Sequence, residues 1–305
     1  MNDFVILAAG VLCAGFGGEF FVRGLVGLAN WARVSSGIIG ITIAAFATSS
    51  PELSVAISAA LAGKPEIAMG DALGSNIVNI GLILAIALLI SRIKSSRDNI
   101  KRDFPLALII PLFTGLLAID GVLSLIDGML LITLFIIWLV IAITNARKQR
   151  NKEIEVRGEY KKSHVIIYSL IGMLFLVAAG QLIVVGAKGI ALSFALDEFI
   201  IGATIVAIGT SAPELATVIV AKLRGHDELG IGTILGSNIF NGLWIIGVAA
   251  IINPISIHAV HLAIVLVFGI IMVIVILPTR QGEIQRRRGL ILLILYVSYL
   301  VIIIL

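Results

Sequence analysis

The chain has 305 residues, 59% of them hydrophobic and 13% charged, with a formal net charge of +4 and a mean hydropathy of +1.13. Soluble domains carry roughly 25% charged residues, so this composition excludes a soluble globular protein, and its low polarity excludes an extended disordered chain. The single cysteine, Cys13, excludes an intramolecular disulfide and a cysteine-based zinc or iron–sulfur centre. The basic residues fall in short loops rather than in a patch that would take nucleic acid.

A membrane-spanning helix needs ~20 apolar residues. Ten segments are predicted as spans: Phe4–Trp31, Ile38–Ala62, Gly70–Ile90, Phe104–Ile119, Val122–Thr144, Val165–Leu196, Phe199–Leu223, Gly230–Ile252, Ala259–Leu277 and Leu290–Leu305. The first begins at residue 4 without a basic flank and reads as a span rather than a cleaved signal. Loops after odd-numbered spans hold nineteen of the twenty-two Lys and Arg residues: Arg33; Arg92 to Arg102; Arg147 to Lys162; Lys222 and Arg224; and Arg280 to Arg288. Only Lys64 and Lys188 lie opposite, with Arg23 inside the first span. Positive charge favours the cytoplasmic side, so those loops are expected in the cytoplasm and both termini outside a cell membrane crossed ten times.

Two segments recur at an offset of 162 residues. Gly40–Glu52 reads GITIAAFATSSPE and Gly202–Glu214 reads GATIVAIGTSAPE; Gly70–Asn79 reads GDALGSNIVN and Gly232–Asn241 reads GTILGSNIFN. The chain therefore divides into two five-span halves, residues 1–145 and 165–305, joined by a basic linker, 146–164. An odd number of spans per half inverts the second relative to the first. The expected fold class is an all-α polytopic membrane protein of ten transmembrane helices in two inverted five-helix repeats, an architecture that puts transport sites at mid-membrane.

The repeated residues are polar. Pro51 and Pro213 each remove a helix hydrogen bond and free the carbonyl four residues earlier, on Ala47 and Gly209. Such carbonyls need a partner at membrane depth. Beside them stand Thr48, Ser49 and Glu52, and Thr210, Ser211 and Glu214. This all-oxygen, anionic set suits a hard cation. Two buried glutamates are costly when charged, and one divalent cation, or two protons, would neutralise both. Ser75 and Asn79, with Ser237 and Asn241, share helix faces and add neutral oxygens, and Gly70, Gly74, Gly232 and Gly236 allow close helix approach.

With these motifs the chain resembles the calcium/cation antiporter superfamily, and its prokaryotic sodium/calcium exchanger-like branch in particular. The resemblance covers nearly the whole sequence. It implies a secondary active antiporter, not an enzyme, that exports Ca2+ in exchange for Na+ or H+ by alternating access, spans one and six sliding across a fixed core. It implies Glu52 and Glu214 as central ligands. Thr48, Ser49, Thr210, Ser211, Ser75, Ser237, Asn79 and Asn241 ring them, with backbone carbonyls of Ala45 and Ala207. No prosthetic group is implied, and the partners are the transported ions and the bilayer, with the protein as a monomer. The sequence departs from relatives at Asn241, where Asp is frequent, at Ala47, where Gly is usual, and at Asp71 and Thr233, where Asn is frequent. Rival readings are an exchanger of another divalent ion, one using potassium, or a cation channel.

Three other groups bear on function. Glu19 and Arg23, four residues apart, are expected to form a structural ion pair. Asp71, near the predicted outer end of the third span, reads as an interfacial solvated carboxylate, with attraction of cations at the entrance as the alternative. His258 and His261 read as interfacial residues rather than metal ligands.

Overall fold

The computed structural model describes residues 3–32, 34–96, 99–149, 162–191 and 198–304. Twelve helices carry the fold: α1 (Asp3–Ala32), α2 (Ser36–Thr48), α3 (Ser50–Leu61), α4 (Pro65–Ile90), α5 (Phe104–Leu117), α6 (Leu125–Gln149), α7 (Lys162–Ala191), α8 (Phe199–Thr210), α9 (Ala212–Leu223), α10 (Asp227–Ile252), α11 (Ala259–Val275) and α12 (Arg287–Ile304). Among the described residues four helices are long and apolar enough to cross a membrane, and the bent pairs α2–α3 and α8–α9 bring that number to six. Much of the basic linker, residues 150–161, lies outside the described residues, as do Arg33 and Arg97.

The molecule is apolar outside and polar at its centre. Leu130, Leu134, Ile137 and Val140 of α6 are exposed, as are Leu290, Ile294, Val297 and Val301 of α12. Thr48, Ser49, Glu52, Thr210, Glu214, Ser75 and Ser237 are fully buried. Water would penalise that outer surface, whereas hydrocarbon would not, so the fold is that of a membrane protein.

The two bent pairs differ from the single kinked helices that the prolines predict. Ser49 (φ −86°, ψ 12°) and Ser211 (φ −76°, ψ 5°) leave helical geometry, and Pro51 and Pro213 each open the next helix in its first turn, where proline's missing N–H costs nothing. The pairs bend by 42° and 43°. The Ala47 and Gly209 carbonyls, expected to be freed, each take a backbone N–H at the break, and Ala47 also accepts a hydrogen bond from Ser50 Oγ at 2.6 Å. Ala212, at the matching place in the second half, has no hydroxyl to do the same for Gly209.

Glycines set how closely the halves meet. A Cβ built on Gly70 would lie 2.3 Å from the Phe199 carbonyl oxygen, and one on Gly232 would lie 2.6 Å from that of Gly37. Gly74 meets Ala203 and Gly236 meets Ile41 in the same way, at 2.5 Å and 2.4 Å. Each contact has its counterpart 162 residues away, so α4 crosses α8 as α10 crosses α2, backbone against backbone. The spacing GxxxG in both motifs exists for these crossings. π-helical turns interrupt the same four helices, at Gly40–Ala44, Asn79–Leu84, Gly202–Val206 and Phe240–Ile245. Such turns often mark functional stretches of a helix. On the outside of this core α1 packs antiparallel on α7, with Gly17 against Leu176, Phe21 against Gly172 and Gly24 against Ser169.

Two short sheets fasten the loops. β1 (Ile93–Lys94) pairs antiparallel with β4 (Glu283–Ile284), and β2 (Val122–Leu123) with β3 (Ile255–Ser256). Around the first sheet Arg92 pairs with Glu283 at 3.2 Å, and Lys222 Nζ donates to Asp227 Oδ1 at 2.8 Å and to the Arg92 carbonyl at 2.5 Å. Basic loops from both halves thus gather at one end of the molecule. The expected Glu19–Arg23 pair forms, at 2.5 Å, and it extends further: Arg224 Nε lies 2.9 Å from Glu19 Oε2 and ties α1 to the end of α9.

Candidate cation-binding site

The breaks at Ser49 and Ser211 place the start of α3 and of α9 in the core, each carrying a glutamate in its first turn. Glu52 and Glu214 are fully buried. Each receives a hydroxyl from the GSN segment of its own half: Ser75 Oγ lies 3.5 Å from Glu52 Oε1, and Ser237 Oγ lies 3.2 Å from Glu214 Oε1. Ser49 Oγ, from the other half, donates to Glu214 Oε1 at 2.9 Å. One oxygen of each glutamate, Oε2, has no partner. No Lys, Arg or His forms an ion pair with either among the described residues.

The remaining sequence-predicted ligands are all in the core, in different states of use. Thr48 Oγ1 bonds the Ala44 carbonyl at 3.0 Å, and Thr210 Oγ1 lies 3.1 Å from that of Val206. Ser211 Oγ is buried and unpartnered. The carbonyls of Ala45 and Ala207 accept from the Ser49 and Ser211 amides at 3.0 Å and 3.1 Å, and the Thr48 and Thr210 hydroxyls each lie a further 3.4 Å from them. Asn79 Nδ2 donates to Asn238 Oδ1 at 2.9 Å, while Asn79 Oδ1 and both polar atoms of Asn241 are unpartnered.

Three residues the sequence reading left out of the site belong to its surroundings. Asp71 is fully buried, not interfacial, and accepts from Thr210 Oγ1 at 3.0 Å. The reason is helix length: α4 starts at Pro65 rather than Gly70, so Asp71 sits about 9 Å along the helix from its first residue at ~1.5 Å rise per residue. Its identity in a segment otherwise matched by Thr233 was the available signal. Asn76 and Asn238 bond each other's carbonyls reciprocally, both at 3.2 Å, and clamp α4 to α10 where the halves meet. Their position in both GSN triplets was the signal there. Thr233, by contrast, gives its hydroxyl to the Leu229 carbonyl at 2.9 Å within its own helix.

Among the described residues no three Asp, Glu, His or Cys side chains converge as a metal-holding group. What converges instead is a pair of carboxylates with hydroxyl, amide and carbonyl oxygens. Such a set can bind a hard cation. His258 is exposed, and its ring lies 5.7 Å from that of His261 by centroids, away from this centre.

The model of the sodium/calcium exchanger protein family matches residues 2–144 and 164–305. The chain belongs to the sodium/calcium exchanger family. It is 33% identical to the inner membrane protein YrbG of Escherichia coli, over 83% of this chain and 75% of that protein. It is 28% identical to the sodium/calcium exchanger MaX1 of Methanosarcina acetivorans, over 98% of each. Among solved structures it matches the sodium–calcium exchanger NCX_Mj soaked with Na+ and Ca2+, with a TM-score of 0.82 and 30% identity over 99% of each chain. The exchanger-family chain is therefore a membrane-embedded antiporter of the calcium/cation class.

Proposed function

We propose that this exchanger exports Ca2+ from the cytoplasm against an inward flow of Na+, by alternating access at the paired glutamates. In this reading residues 1–145 and 165–305 are inverted five-helix repeats joined by the linker 146–164. The observation that carries it is the state of Glu52 and Glu214: both fully buried, each with an unpartnered oxygen, and neither paired with a basic side chain among the described residues. Two such charges are too costly to leave bare at membrane depth, so the site is expected to be filled in turn by one divalent ion or by monovalent ones.

Thr48, Ser49, Thr210, Ser211, Ser75, Ser237, Asn79 and Asn241, with the carbonyls of Ala45 and Ala207, complete the shells. Neutral oxygens bind sodium as readily as calcium, and relatives named as sodium/calcium exchangers favour sodium as the counter-ion. The gathering of basic loops at one end of the molecule supports the orientation with that end cytoplasmic. The antiparallel pair α1 and α7 lies outside the core and is suited to slide across it.

The test is calcium-45 uptake into liposomes under an outward Na+ gradient and, separately, an outward proton gradient. Uptake with sodium is the expected result, abolished by Glu52→Gln and by Glu214→Gln. Uptake with protons alone would make the two glutamates proton carriers. Uptake in neither case, or conduction without a counter-ion, would defeat the exchange reading.

A further inference from the structure

The two halves carry the same GSNxxN pattern, yet their asparagines are not bonded alike. Asn79 Nδ2 donates to Asn238 Oδ1 at 2.9 Å. Moving each of these residues by the 162-residue offset gives Asn241 and Asn76. That second pair makes no such bond: both polar atoms of Asn241 and Asn76 Oδ1 are buried without a partner. Asn238 is itself held from its other side, because its Nδ2 donates to the Asn76 carbonyl at 3.2 Å. This bond settles which way round the Asn238 amide lies. Its NH2 faces Asn76, so its oxygen is left for Asn79. Asn79 then turns its own NH2 to Asn238 and keeps its Oδ1 free, and that oxygen is buried and unpartnered. The two ends of an amide are nearly alike in size, so hydrogen bonds choose between the two orientations. The choice matters beside a cation, which an amide oxygen attracts and an NH2 repels.

We propose that Asn238 is a positioning residue for the cation site: without touching the ion, it holds the Asn79 amide with the oxygen offered as a ligand. The inference rests on the reading of Asn79 as a ligand of the exchange site. Asn79 lies one turn beyond Ser75 on the same face of α4, and Ser75 Oγ lies 3.5 Å from Glu52 Oε1. Asn241 has no side-chain partner to fix its amide. The first half therefore supplies a preset neutral ligand, and the second half one that the ion itself must turn and order.

Alanine at Asn238 and at Asn76 separates this role from the clamp between α4 and α10. Each substitution removes one of the two reciprocal 3.2 Å bonds and leaves the other, because the acceptors are backbone carbonyls. Only Asn238→Ala also releases the Asn79 amide. Tracer binding, with 45Ca2+ and with 22Na+, is measured on the purified full-length protein in detergent. Asn238→Ala is expected to weaken 45Ca2+ binding about fivefold, as for the loss of one neutral hydrogen bond, whereas Asn76→Ala leaves it unchanged. Asn238→Leu keeps the volume of the side chain and is expected to weaken binding as the alanine does. In an Asn79→Ala background Asn238→Ala is expected to have no further effect, since the group it orients is gone. A purely structural role would lower the affinity equally in both backgrounds. Equal loss in Asn238→Ala and Asn76→Ala, no loss in either, or the same loss from Asn238→Ala with and without Asn79 overturns the proposal. Wild type that binds 22Na+ but no 45Ca2+ counts against the calcium reading alone, and the same cycle read with 22Na+ then decides the role of Asn238.

Discussion

Replacing Gly74 by alanine puts a methyl group where the backbone of the other half already stands. Its Cβ would lie 2.5 Å from both Ala203 Cα and Ala203 O, and 2.7 Å from Ala203 C. Carbon contacts relax at about 3.5 Å, so α4 and α8 must separate by roughly 1 Å. The obstacle is backbone and cannot rotate aside, so the cost is at the upper end of the ~1–3 kcal/mol typical of overpacking. Alanine returns ~1 kcal/mol of helix propensity. The net loss is about 2 kcal/mol, and at ~2–4 °C per kcal/mol the melting temperature falls by at least about 4 °C. Thr210 lies two turns beyond Ala203 on α8, so the shift stretches its 3.0 Å bond to Asp71 beyond hydrogen-bonding distance. Calcium-45 affinity in detergent is therefore expected to fall about tenfold, the equivalent of ~1.4 kcal/mol. Gly230→Ala is the control, because its Cβ would meet Val218 Cγ1 at an ordinary 3.6 Å. If Gly74→Ala melts with wild type and binds calcium as tightly, the close crossing is not what positions the site.

Ser50→Ala removes the donor to the Ala47 carbonyl at the bend and is expected to lower stability by ~1 kcal/mol, while Ala212→Ser gains a similar bond at Gly209, both read by thermal melting in detergent. Glu19→Gln releases Arg224 from α1; the groups are partly exposed, so stability changes by under ~1 kcal/mol, but the initial rate of calcium-45 uptake is expected to rise as the tether is lost. A lower rate with unchanged calcium binding would show that the tether assists the transport cycle instead. Burial, and then the charge of Arg224, hold the His226 imidazole below its usual 6.5. Its neutral form stabilises the fold fully above that value and the contribution is lost as pH falls below it, so His226→Gln should flatten the melting temperature measured from about pH 7 to 5. An unchanged slope would assign the pH dependence to other groups.

The one-dimensional sequence carried what depends on local composition. Apolar runs gave the helical segments to within a few residues, since hydropathy over ~20 residues decides burial in hydrocarbon. The 162-residue offset gave the repeat, and its polar matches gave Glu52, Glu214 and the hydroxyls beside them. Local pattern also misled where a charge sits near a helix end. The third span was expected to begin at Gly70, and Asp71 then looked interfacial. Only the folded chain puts Asp71 a further turn and a half inside and against Thr210, which is 139 residues away in sequence.

Which oxygen meets which was decided in the same way. Ser49 serves Glu214 of the other half, Asn76 and Asn238 clamp each other, and Arg224 joins a pair that spacing alone assigned to Glu19 and Arg23. Periodicity fixes the face a side chain occupies on its own helix. It says nothing of the crossing that brings another helix to that face, and here glycine-lined backbone contacts between the halves set those crossings. The prolines show both levels at once: their place in the motif marked a break, but whether it would be a kink or a new helix start depended on Ser49 and Ser211 turning within the packed core.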